Sequence, residues 1–162
     1  MAMTRRDSRP NDTRGATRDA MRDPSFLPLT LSAADAVDAM PADLPADTRT
    51  AAETVRDRAR EVHTAAVDCW ASLLAGCDLP TRWTLPGLMR ALSDSIGAYG
   101  GTQWWFGAGS GLRNRIARTQ LQLSEAIADR DGAEFAEAFA GYDQAVATAL
   151  VRAQHRIGSI AP

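Results

Sequence analysis

Apolar residues recur at alternating steps of three and four along most of this chain, and that spacing restricts it to helices. Val55, Ala59, Val62, Ala66, Cys69 and Leu73 form one such stripe, with Trp70 and Leu74 widening it. Phe135, Phe139, Tyr142, Val146, Leu150, Ala153 and Ile157 form another, and shorter stripes comprise Leu85, Leu88, Met89, Leu92 and Ile96, then Leu112, Ile116, Leu123 and Ile127. A helix brings positions three and four apart onto one face, whereas a strand would need alternation by two, which no useful length of this sequence shows. One-faced helices must bury their stripes against each other. The expected fold is therefore all-α: an antiparallel bundle of three long helices plus one or two short ones. The small residues Ala59, Ala66 and Cys69 allow a neighbouring helix to approach closely.

Boundary signals divide the pattern. Ser32 to Asp35 has the form of an N-cap for a short helix ending before Pro41. Thr50 with Glu53 fits a capping box opening a long helix, stopped by Gly76 and Pro80. Pro86 is best tolerated in a first turn, which puts the next start near Thr84. Ser110 is the expected cap of a third long helix, and Asp131 with Glu134 is a second capping box.

Residues 1–23 contain almost no large apolar side chain and are expected to be a disordered, arginine-rich arm. The following Phe26-Leu27-Pro28-Leu29 reads as an extended apolar strap, because its proline is unsuited to a helix interior. The groove it fills belongs either to this chain or to a partner. The organisation is then an arm and strap over 1–31 and a helical domain over 32–162.

All 18 basic residues are arginine, and the net charge is −2, which argues against a broad nucleic-acid footprint. Residues 26–80 are net acidic and 81–130 net basic, a distribution suited to self-complementary packing within or between copies. Two cysteines eight positions apart in a helical stretch do not make a disulfide framework. Thr4-Arg5-Arg6 lacks a following apolar segment of the kind an export signal needs, and no apolar run is long enough to span a membrane. A cytoplasmic setting follows as the expectation.

Chemistry-bearing constellations are sparse. His63 and His155 have no ligand-type residue four positions away, so no metal is expected. Glu53, Asp57, Glu61 and Asp68 interleave with Arg56, Arg58 and Arg60 as a solvated face. Ser72, Ser93 and Ser95 lack a nucleophile elbow, Cys69 reads as a core hydrophobe, and Cys77 sits where a helix C-terminus disfavours a thiolate. No cofactor and no catalytic residue are expected.

The most unusual stretch is Gly100 to Gly111, with Trp104, Trp105 and Phe106 consecutive amid glycines. Three adjacent large aromatics cannot all face one core. They either plug one end of the bundle or act as exposed anchors. The leading expectation is a non-enzymatic helical interaction or assembly module, self-associating or partner-binding, with Trp104, Trp105, Phe106, Phe26, Leu27 and Leu29 as its contacts.

The alternative is an anion or small-molecule site at a helix start, using Gly109, Ser110, Gly111, Arg113, Arg115 and Arg118. A weaker possibility is single-stranded nucleic acid on Arg82, Arg90, Arg113, Arg115 and Arg118 with Trp83, Trp104 and Trp105. The closing Ile157-Gly158-Ser159-Ile160 is similar to the C-terminal loading peptides of encapsulin cargo proteins; the resemblance covers four residues and implies at most an extended docking tail.

Overall fold

A computed structural model describes residues 25–39 and 44–159. Among them the chain is all-α: α1 Pro28–Asp38, α2 Ala46–Ala75, α3 Thr81–Gly100, α4 Thr102–Phe106, α5 Ser110–Asp129 and α6 Gly132–Gly158. The arm expected over 1–23 lies outside the described residues. α2 packs along α3, α5 packs along α6, and α1 lies across both α2 and α6. α6 also touches α3, whereas α3 with α5 and α2 with α6 meet far less closely.

Four long helices form the bundle, one more than expected. The stripes read from the sequence are the core: Val55, Ala59, Val62, Ala66 and Cys69 from α2, Leu85, Met89, Leu92 and Ile96 from α3, Ile116 and Leu123 from α5, and Phe135 to Ala153 from α6 are buried. Leu74 is the exception. It was expected to widen the α2 face, but it sits in the last turn and is 62% exposed.

Several boundaries differ from the sequence reading, each for a physical reason. α2 begins at Ala46 on Pro45, so Thr50 lies inside the helix and cannot cap it; the amides of Thr48 and Arg49 bond to the Pro45 carbonyl. α3 begins at Thr81, because a turn from Leu79 and Pro80 already supplies its first carbonyls. Pro86 therefore lies inside α3 rather than in its first turn. Ser110 is the first residue of α5, with Gly109 before it and no side-chain cap. Asp131 does cap α6, accepting from the amides of Ala133 and Glu134 at 2.9 Å each.

The strap is also corrected. Pro28 opens α1 as a first-turn proline, so Pro28 to Leu31 are helical rather than extended, and Ser32 lies within the helix. Similarly, Ile157 and Gly158, expected to be part of an extended tail, close α6, while Ile160 lies outside the described residues.

Candidate interaction surfaces

The aromatic stretch folds as a one-turn helix across the α3 end of the bundle. Trp105 is buried and lies flat on α3, so a Cβ at Gly97 would stand 2.7 Å from its Cδ1. Trp104 is half-buried in the same way: a Cβ at Gly100 would meet its ring at 2.7 Å, and one at Gly109 would meet it at 3.1 Å. The glycines are thus the seats of two indoles, and α3 continues through them. Phe106 points outward, 61% exposed, with the Arg113 guanidinium 4.6 Å from its ring centre. Of the three expected anchors, two close the end of the bundle and one faces solvent.

That closure uses up most of the amides on which anion binding would depend. The Gly107 amide donates to the Gln103 and Trp104 carbonyls, that of Gly109 to Trp104, that of Ser110 to Gly107, and those of Leu112 and Arg113 to Gly109. Gly109 is itself buried under Trp104. Arg113 stacks on Phe106, while Arg115 and Arg118 are exposed and form no ion pair with any described residue. The geometry does not gather Gly109, Ser110, Gly111 and the three arginines into a pocket.

The strap residues fill this chain's own groove. Leu27 is fully buried, and Phe26 meets Trp70, Phe135 and Phe139 edge-on at 5.5, 5.7 and 5.4 Å between ring centres. Leu29 remains 54% exposed. The residue that holds this segment went unnoticed in the sequence. Asp143 of α6 is buried, and its two carboxylate oxygens accept the amides of Leu29 (3.0 Å) and Thr30 (2.8 Å), the exposed donors of α1's first turn. The Thr30 hydroxyl answers by donating to the Asp143 carbonyl at 3.2 Å. An acid embedded in the stripe of Tyr142, Ala145 and Val146 was the available signal.

Other charged groups are structural. Arg82, expected on a basic surface, is buried: it pairs with Asp78 and donates to the Ile127 carbonyl at 3.3 Å, tying α3 to α5. Arg130 reaches the same Asp78 at 3.2 Å. Cys69 is fully buried, and desolvation pushes its thiol up to about 11, partly offset by the Arg82 charge; Cys77 is exposed. Among the described residues no three of His, Cys, Asp and Glu gather around one point, and no helix is long and apolar enough to cross a membrane.

The large apolar side chains that stay exposed among the described residues include, besides Leu29, Phe106 and Val151, a group on α2, α3 and α5. Leu79 is 40% and Trp83 76% exposed, beside Leu74 at the α2–α3 turn. On the loosely packed α3–α5 seam, Leu121 is 61% exposed and borders a hollow of about 190 Å³ lined by Pro86, Met89, Arg90, Ala117 and Gln120. The Gln120 amide bridges this seam, donating to the Met89 carbonyl and the Ser93 hydroxyl at 3.0 Å each. Compared with known proteins, the chain matches no family model, no curated protein and no solved structure.

Proposed function

We propose that this chain is a non-enzymatic helical interaction module whose contact surface is the α3–α5 face. The carrying observation is Trp83, 76% exposed on α3, with Leu121 61% exposed on the facing helix. Isolated surface leucines are ordinary, but a solvated tryptophan sharing one face with a second large apolar side chain and a hollow is the usual composition of an anchor. The buried polar groups meanwhile have structural duties. Asp143 holds α1, Arg82 ties α3 to α5, and Ser72, Ser95 and Thr119 bond to carbonyls of their own helices. Such groups are not left available for acid–base or nucleophilic work.

Of the anchors expected from the sequence, Phe106 and Leu29 belong to this reading as outlying contacts; Trp104, Trp105, Phe26 and Leu27 belong to the fold. The anion-binding alternative keeps only Arg115 and Arg118 in its favour. A cytoplasmic setting accompanies the proposal because Cys69 and Cys77 are both free and Cys77 is exposed.

The test changes Trp83 and Leu121 together to Ser in the full chain and compares it with the unaltered protein. Circular dichroism should be unchanged. Saturable association, with itself by sedimentation or with another protein by affinity capture, should be lost. A chain that stays monomeric and captures nothing that the double variant fails to capture would overturn the proposal.

A further inference from the structure

The α3–α5 face carries three features that the isolated bundle leaves unexplained, and each fits the same occupant. Trp83, Gly87, Arg90 and Asp94 fall at successive helical steps along α3, and all four are exposed. Trp83 is the most exposed of the large apolar side chains, with the Arg82 guanidinium 5.5 Å from its ring centre and most of the indole in water. Gly87 stands inside a helix, where glycine is unfavourable, yet a Cβ there would have nothing within 4 Å. Seven other described glycines are explained by a neighbour that crowds them or by a positive φ; Gly111 and Gly158 share the open space of Gly87 but lie in a first and a last helical turn, and Gly141 meets only Thr119 at 3.7 Å. Arg90, finally, is a cation that forms no ion pair with any described residue.

Resting on the interaction reading above, we infer that the partner is a second copy of this chain, crossing α3 over α3 about a two-fold axis at Gly87. An axis at that position places Trp83 of each copy level with Arg90 and Ala91 of the other. The indole then receives the other copy's unpaired guanidinium on its open surface, an electrostatic match that repeats by symmetry. At that level the hollow lined by Pro86, Met89, Arg90 and Leu121 accepts the edge of the ring. Glycine at the crossing point lets the two backbones come close, as small residues do at tight helix crossings. A partner of different sequence would leave the pairing of Trp83 with Arg90 on the same stripe to coincidence. Isologous pairing uses both.

The experiment is light scattering after size exclusion on the full chain over a wide concentration range, with four variants. Trp83→Ala and Arg90→Glu should each weaken the dimer by roughly tenfold or more. Gly87→Gln should abolish it while raising the melting temperature of the monomer, because a side chain at an exposed helix position favours the helix. That opposition of signs excludes unfolding as the cause. Val151→Ala, exposed on α6 and outside the α3–α5 face, should leave the dimer intact. A wild-type chain monomeric at every concentration would overturn the second copy as occupant, leaving the interaction reading to its own capture test. A dimer indifferent to all three α3 variants would overturn the α3 face while upholding association.

Discussion

Replacing Asp143 with Ala removes the only side chain among the described residues that answers the first-turn amides of α1, and the cost can be worked from its contacts. Two amide donors, Leu29 at 3.0 Å and Thr30 at 2.8 Å, lose a charged acceptor that is itself 3% exposed. Hydrogen bonds to charged groups are each worth about 1.5–3 kcal/mol. Water can reach the half-open Leu29 segment, and relief of a buried carboxylate offsets part of the loss. A net destabilisation of about 2–4 kcal/mol is expected from these terms. Asp143→Asn should fall between, since it keeps one acceptor oxygen but turns an amide toward the other donor. Urea unfolding followed by circular dichroism gives the magnitude. Hydrogen exchange gives the place: protection should drop first at residues 29–38, because α1 is held by this carboxylate and by Phe26 and Leu27. A variant within about 0.5 kcal/mol of wild type, or one whose lost protection is spread evenly, would refute the latch.

Four further outcomes are expected. Gly97→Ala should destabilise by about 1–3 kcal/mol despite alanine's helix preference, because its Cβ would stand 2.7 Å from Trp105, and thermal unfolding measures it. Trp105→Ala should cost about 3–5 kcal/mol while Phe106→Ala costs less than about 1, separating the plug from the outward ring in one denaturant series. Leu73→Ala should cost about 2–5 kcal/mol and its neighbour Leu74→Ala little, since their exposures are 8% and 62%. Cys69, protonated in the fold up to about pH 11 against 9.0 unperturbed, binds its proton more tightly folded than unfolded. Its contribution is therefore complete below pH 9 and is lost as pH rises toward 11. Unfolding titrations across that window should show the decline and Cys69→Ala should flatten it, while a thiol reagent at neutral pH should label Cys77 alone.

The core was legible because burial follows spacing. Every long stripe read from the sequence faces inward, and Asp131 caps α6 with the oxygen its position promised. What escaped were features set by contacts between distant segments. Nothing local to the glycines at 97 and 100 says that Trp104 and Trp105 fold back onto them. The left-handed residue between α5 and α6 is Arg130, with φ 57°, rather than the nearby Gly132. Gly132 is instead confined by Leu74, whose Cδ2 would lie 2.9 Å from a Cβ, and its carbonyl accepts from the Trp70 indole at 3.1 Å. Asp143 stood out only as an acid within an apolar stripe, and its partners were hidden for the same reason: its donors lie more than 100 positions away.

The candidate surface was only half legible, and the missing half is a matter of competition for burial. The sequence singled out three consecutive aromatics as the place where something must face outward. It could not say that neighbouring glycines would provide seats for two of them, leaving Phe106 alone beside Arg113. Trp83 figured only in the weaker nucleic-acid possibility, beside Arg82 and two positions before the buried Leu85. Arg82 takes the inward position there, bonding Asp78 and the Ile127 carbonyl, and so leaves Trp83 on the outside. A buried arginine and an exposed tryptophan at adjacent positions invert the usual preference for burial. The arginine's inward place is fixed by the bonds that join α3 to α5. The tryptophan's outward place has no such reason within one chain, and that asymmetry is what directs attention to the α3–α5 face.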